Sequence, residues 1–399
     1  MKTSLGSGDT REKVKNRLRS RILAQIRSQG LFLDENCSVI KPNQMNKEAI
    51  RTFHLSACAG KYNNNLRFLA EKEEKLISFF ANGNEIEIDG IKPKLQVIES
   101  GTTESDLFRY ATLLWSVPVS NGFGRRVRYL LWDQNNGKLI GLFALGDPVF
   151  NLKCRDDWIG WDHKARAERL YNVMDIFILG SVPPYNILLG GKLIAMVAAS
   201  DEVRRFIQKK YQNRKTVIQN KVKNPQLALL TTGSALGKSS LYDRINYNGR
   251  LIYQKIGESK GWGHFHLNHG LFDEMLQFLR MTSPGVVSAN RFGQGPNWKI
   301  RASRVCLEQL GLPTDLLRHG VQREIYGIPL AKNFSEFLCG GTDNLIYHKL
   351  PFDKAASYWH ERWLAGRAKR KPEYKESTIK EISQMIHCRG TNWLASQVN

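Results

Sequence analysis

The sequence predicts an α/β protein: a mixed-sheet core with a helical region before it and a helical extension after it. Three observations carry this. Residues 125–133 and 138–145 are strand-like runs on either side of Gln134-Asn135-Asn136-Gly137. Asn-Gly tolerates the positive φ that a hairpin turn needs. From about residue 105 to 270, strand-like and helix-like segments alternate, the pattern of an α/β core. Before residue 100, apolar residues recur at helical spacing. The expected divisions are a basic helical region at 1–104, the core at 105–330 and a helical extension at 331–399.

Each element has its own signal. Asp9-Thr10-Arg11-Glu12 reads as a helix cap with a glutamate at the third helical position. Val14, Leu18, Ile22 and Ile26 then recur every four residues, and Gly30 follows as a stop. This predicts an amphipathic helix with a basic outer face. Residues 62–80 read as a second helix, holding Leu66, Leu69, Ile77 and Phe80 and stopping at Asn82-Gly83. Residues 1–100 are expected to be mostly helical. After the hairpin comes an apolar strand at 173–179, ended by Pro183-Pro184. Residues 185–211 read as one long helix, apolar through Ala199 and basic afterwards. A strand at 226–230, a short helix at 239–245 and a strand at 251–256 complete the core. Helices and loops follow, with Trp359, Trp363 and Trp393 near the end. No internal repeat or low-complexity segment is visible.

Charge is the most informative bulk property. Fifty-nine Lys and Arg stand against 37 Asp and Glu, a net charge of +22. A field of that size favours a polyanionic partner, nucleic acid above all. The charge gathers in residues 1–30, 201–223 and 353–399. No apolar run approaches the roughly 18 residues of a membrane span, so no membrane partner is expected. The opening Met1-Lys2-Thr3-Ser4 has no apolar stretch, so no secretory signal is expected. Cysteines at 37, 58, 154, 306, 339 and 388 are too scattered for a disulfide framework. A reduced, cytoplasmic setting is expected.

The expected nucleic-acid contacts are Arg17, Arg21, Arg204, Arg205, Lys209, Lys210, Lys299, Arg301 and Arg323. Asn297-Trp298-Lys299-Ile300-Arg301 and His319 to Arg323 interleave aromatic and basic groups, which suits stacking on bases and neutralising phosphates. Trp359 and Trp363, four apart on one helix face, read as packing or a partner interface.

Three motifs tempt a catalytic reading. Gly233 to Ser239 has three residues between glycines where a phosphate-binding loop needs four, so a tight strand-to-helix turn is expected. His264 and His266 would share one face of a strand and reach one metal, but no third ligand is evident and no metal site is expected. Ser240 as nucleophile, Tyr242 as general acid and His266 are catalytic candidates; without a visible base, helix-capping serines and a salt bridge are the plainer reading. No cofactor can be named from the residues.

Residues 176–193, Ile-Phe-Ile-Leu-Gly-Ser-Val-Pro-Pro-Tyr-Asn-Ile-Leu-Leu-Gly-Gly-Lys-Leu, resemble the acetyltransferase-like (GNAT) fold. There a strand feeds a loop at a helix N-terminus that holds a pyrophosphate. The resemblance would assign cofactor binding to Gly190 and Gly191, but Asn186 and adjacent glycines depart from the usual loop. A longer resemblance covers residues 110–370. Its motifs are Leu-Leu-Thr-Thr-Gly-Ser-Ala-Leu-Gly-Lys-Ser-Ser-Leu-Tyr-Asp-Arg at 229–244 and Tyr-Gln-Lys-Ile-Gly-Glu-Ser-Lys-Gly-Trp-Gly-His-Phe-His at 253–266. Gly-Gln-Gly-Pro-Asn-Trp-Lys-Ile-Arg at 293–301 and His-Gly-Val-Gln-Arg at 319–323 complete it. By these the chain resembles the DUF4338 family, whose membership implies a part in the Druantia anti-phage defence system alongside other Druantia proteins, including a large helicase. The leading expectation is a nucleic-acid-contacting component of that system. The alternatives are an acetyltransferase-like enzyme acting on a base or a protein, and a non-catalytic adaptor for the helicase.

Overall fold

A computed structural model describes all residues except 1–5, 29–31, 41–45, 120–123, 217–219, 262, 264–266, 268, 288–297 and 396–399. The chain divides into two compact units. One is built from Met1–Ala57 and Ser259–Arg323, the other from Cys58–Glu258 and Glu324–Asn399.

The larger unit is built on a seven-stranded mixed sheet. Its strands are β1 (Pro93–Val97), β2 (Arg126–Asp133), β3 (Lys138–Gly146), β4 (Val173–Ser181), β5 (Leu229–Gly233), β6 (Gln254–Glu258) and β7 (Glu324–Pro329). They lie in the order β6-β7-β5-β4-β3-β2-β1. Every neighbouring pair is antiparallel except β4 and β5. That parallel pair holds only at Val173–Leu229, Met174–Leu230 and Asp175–Thr231; beyond it β4 runs on to Ser181 without β5 beside it. The expected hairpin is β2–β3, closed with Gly137 at φ 71° and its N–H bonded to Asp133 O at 2.9 Å.

Strand alternation splits the core between two faces. Val127, Tyr129, Leu131, Phe143 and Leu145 pack with α7 (Gly190–Ala198) and α8 (Asp201–Tyr211). Leu130, Leu142, Ala144 and Ile178 pack on the other face with α3 (Leu66–Ile77), α4 (Thr103–Ala111) and α15 (Ile379–Ala395). Each fully buried aliphatic or aromatic side chain contributes about 1.5–3 kcal/mol, and this double layer supplies most of the unit's stability.

Several expected elements differ in their bounds. The single helix expected at 185–211 is two, α7 and α8, broken at Ala199-Ser200. Ser200 is extended, and Asp201 and Glu202 put acids in a new first turn, where the helix dipole favours them. The helix expected at 62–80 is likewise two, α2 (Lys47–Asn63) and α3, because the chain turns at Asn64-Asn65. The first helix, α1 (Gly6–Ser28), starts before the expected Asp9 cap, and Gly30 lies outside the described residues. The short helix expected at 239–245 is a 3-10 turn at Tyr242–Arg244. No helix therefore follows β5 to cradle a phosphate. The strand expected at 251–256 is β6, shifted forward, and the one at 226–230 is β5. In the stretch read as mostly helical, β1 forms the sheet edge.

The smaller unit is helical. Leu18, Ile22 and Ile26 are buried along one face of α1, as their spacing predicts. α1 packs on α9 (His269–Thr282), whose Leu271, Phe272, Met275, Phe278 and Leu279 are buried. α9 packs in turn on α11 (Trp298–Gln309) through Ala302, Cys306 and Leu307. A four-residue helix, α10 (Pro284–Val287), lies between them in sequence. Among the described residues no helix is long and apolar enough to cross a membrane.

Candidate nucleic-acid interface

α8 carries the densest basic run, and the structure divides it in two. Arg204 meets Asp201 at 3.5 Å and lies over the Tyr347 ring at 3.7 Å. Arg205 meets Glu202 at 3.1 Å. Both are thus offset by acids of their own first turn. One turn on, the situation reverses. Among the described residues no ion pair involves Lys209, Lys210, Arg214, Lys215 or Lys221. Lys209, Arg214, Lys215 and Lys221 are exposed. Lys210 is half-buried, its ammonium 3.4 Å from Arg126 O.

These groups feel one another. Burial, then the charges of Arg214 and Arg128, hold the Lys210 amine below its usual range, against a weaker pull from Glu99. Burial and then Arg126 lower Arg128 in the same way. Like charges held this close destabilise the isolated protein and are relieved by a polyanion. The frame is fixed by Arg125, which bonds Asp147 Oδ1 at 2.7 Å and stacks over Tyr171 at 3.8 Å. The Tyr211 hydroxyl donates to Arg126 O at 3.1 Å, pinning the end of α8 to the start of β2. Lys215 bridges Val222 in antiparallel fashion and Thr216 N–H donates to Lys221 O at 2.9 Å, so Lys215 and Lys221 continue the patch. Beside it lies a hollow lined by the apolar Val222 and Pro225 and by Gln208, Gln212, Asn213, Lys223 and Asn224, polar groups that hydrogen-bond phosphates and base edges.

In the smaller unit, Arg17 and Arg301 are exposed, whereas Arg21 is bonded to Glu274. Lys299 lies 5.1 Å over the Phe272 ring and 5.9 Å over Trp298, which itself packs edge-on against Phe272. Arg323 reaches His54, with its Nη2 3.2 Å from Nε2.

The catalytic candidates stand apart. Tyr242 stacks on Tyr253 at 4.7 Å and meets Tyr326 edge-on at 5.0 Å; burial pushes its phenol up to about 12. Ser240 is exposed, and its side chain is bonded to no base among the described residues. The polar groups near Tyr242 close on one another. The Tyr326 hydroxyl lies 2.7 Å from Glu324 Oε2 and 2.9 Å from Asp243 Oδ1. Glu324 also receives Ser239 N–H at 2.9 Å and the Lys255 ammonium at 2.8 Å. The Ser239 hydroxyl accepts Tyr242 N–H at 3.1 Å, capping the 3-10 turn. His264 and His266 lie outside the described residues. Among the described residues no group of three His, Cys, Asp or Glu could hold a metal.

Gly190 and Gly191 open α7. A Cβ on Gly190 would sit 2.8 Å from Tyr185 O and 3.0 Å from Ser181 Cβ, so close packing alone requires glycine there. The first turn is already engaged. Gly190 N–H donates to Tyr185 O at 2.8 Å, and Lys192 N–H to Leu189 O at 3.0 Å. Trp359, fully buried on α13 (Phe352–Trp359), donates its Nε1–H to Leu189 O at 3.0 Å. Arg367 donates to Ile187 O at 2.8 Å, and Lys192 lies 4.3 Å over Trp363.

Lys209, Lys210 and Arg214 lie in the basic run 201–223 that the sequence shows, whereas Arg126 and Arg128 lie outside every basic run read from it. The alternation Arg126-Val127-Arg128 was the available signal, since it puts two cations on one side of a strand. The Glu324–Tyr326–Asp243–Lys255 network joins segments about 80 residues apart, and no spacing rule reaches that far.

The profile of the family described as Druantia protein DruA matches residues 44–340. Druantia protein DruA of Escherichia coli (strain UMEA 4076-1) is 42% identical over 371 residues, which is 93% of this chain and 92% of that protein. No solved structure matches.

Proposed function

Because the chain belongs to the DruA family, we propose that it is a component of a Druantia anti-phage defence system and contacts nucleic acid through the basic end of α8. The carrying observation is the cluster of Lys209, Lys210, Arg214, Lys215 and Lys221, which no carboxylate among the described residues offsets by an ion pair. A phosphate backbone relieves the mutual repulsion and releases its own counterions on binding. The amides and Lys223 in the hollow beside the patch supply further hydrogen-bond partners for a phosphate backbone. The protein acts with other Druantia proteins, a large helicase among them, in the cytoplasm.

We read the sheet as acetyltransferase-like. Hairpin β2–β3, strand β4, a glycine-led helix and β5 parallel to β4 follow in the order that the resemblance implies. Likeness of fold does not carry chemistry with it. The engaged first turn of α7 supports a core that kept the sheet without an acyl carrier.

Charge reversal tests the interface. Lys209→Glu, Lys210→Glu and Arg214→Glu combined should lower DNA affinity at least ~10-fold at low salt, read by fluorescence anisotropy. The slope of log affinity against log salt should shrink by roughly 2–3, at about 0.9 per lost phosphate contact. Arg204→Gln with Arg205→Gln should have little effect, since both arginines are already offset. Equal binding by the wild type and the triple variant would end this reading.

A further inference from the structure

Two segments of the longest sequence motifs meet in the smaller unit. Ser259 N–H donates to Arg323 O at 2.8 Å, and Arg323 N–H to Ser259 Oγ at 3.0 Å. Gly263 N–H donates to Leu317 O at 3.0 Å. Where the segments cross, Gly261 has φ 66°, and a Cβ there would lie 3.0 Å from the Gly320 carbonyl carbon. The crossing therefore needs glycine, and it holds the Arg323 backbone in place.

The held side chain has an unmet charge. Arg323 is half-buried, and its buried Nε has no partner among the described residues. No ion pair among the described residues involves it, and burial alone lowers its proton affinity. Its one side-chain bond among the described residues, at 3.2 Å, goes to Nε2 of His54. His54 is 1% exposed, and burial, then the Arg323 charge, pull its imidazole down to about 3. It therefore stays neutral and orients the guanidinium without compensating it. A guanidinium has five N–H donors in a rigid fork, and burying it without an anion is costly. The unit carries 19 Lys and Arg against 9 Asp and Glu, a field that draws multiply charged anions.

We propose that Arg323, oriented by His54, forms a subsite for a single phosphate group. The planar fork grips two phosphate oxygens at once, which a lysine cannot do. The inference rests on the nucleic-acid reading only for the source of the phosphate, which is a nucleic-acid backbone or a free nucleotide.

The test uses the full chain with inorganic phosphate, AMP and a DNA oligonucleotide as probes. Inorganic phosphate should raise the Tm of the wild type and of the α8 triple variant, but not of Arg323→Gln or Arg323→Lys. Without phosphate, Arg323→Gln should melt no lower than the wild type, because it removes an unpaired buried charge; this separates lost binding from lost folding. A DNA affinity about tenfold weaker in Arg323→Gln assigns the phosphate to the nucleic-acid backbone. Unchanged DNA affinity with a lost AMP shift assigns it to a nucleotide. A phosphate shift absent from the wild type, or equal in Arg323→Gln, overturns the subsite and leaves the α8 interface standing.

Discussion

Asp175 shows how far one side chain can depart from what its sequence position suggests. It lies on β4 opposite Thr231 of β5, whose hydroxyl donates to its Oδ1 at 2.7 Å. Its carboxyl sits deep in the protein mass while keeping a partly accessible edge. Desolvation outweighs both the Thr231 bond and the Arg155 charge, and pushes the carboxyl up from 3.8 to about 6. The folded state thus holds this proton more tightly than the unfolded chain. Asp175 favours folding most below pH 3.8, and that contribution is lost as pH rises to about 6. Asp175→Asn should flatten stability across this window and leave the variant no less stable at pH 7, as read by urea denaturation at several pH values. An unchanged slope would contradict the placement. The α8 residues teach a similar lesson. Arg205 and Lys209 look alike in sequence, but the fold pairs Arg205 with Glu202 one turn back and, among the described residues, gives Lys209 no ion pair.

At the scale of elements, local signals were legible and tertiary ones were not. The β2–β3 hairpin and the buried stripe of α1 followed from turn chemistry and four-residue spacing, both properties of adjacent residues. The break between α7 and α8 was not legible, although Ser200-Asp201-Glu202 is a helix-start pattern, because an unbroken apolar run masked it. The α8 start is also held from afar, with Asp201 N–H donating to Leu350 O at 3.0 Å. The C-terminal tryptophans were read as packing or an interface, and Trp359 packs inside. Trp359→Ala should therefore cost about 3–5 kcal/mol, the usual loss for a buried tryptophan, seen as a lower urea midpoint. A loss under about 1 kcal/mol would mean that α13 does not close the first turn of α7.

At the scale of the whole molecule, net charge was the most useful number in the sequence, and its distribution is what the fold adds. Many of the 59 Lys and Arg are offset locally, in pairs such as Arg125–Asp147 and Arg166–Asp156, which sum to zero and leave the +22 excess to the other cations. Among the described residues, Lys209, Lys210, Arg214, Lys215 and Lys221 at the end of α8 and Arg323 in the smaller unit are cations without an ion pair. The α/β class with helices at both ends was visible from alternation alone. The strand order was not, because β6 and β7 are far apart in the chain and adjacent in the sheet. The most direct measurement is the affinity of the full chain for DNA across salt concentrations. A straight log–log decline with a slope of roughly −3 to −5, one phosphate for each unpaired cation on the α8 surface, is the predicted result. Affinity that does not change with salt, or none at about 50 mM salt where counterion release is strongest, would contradict it.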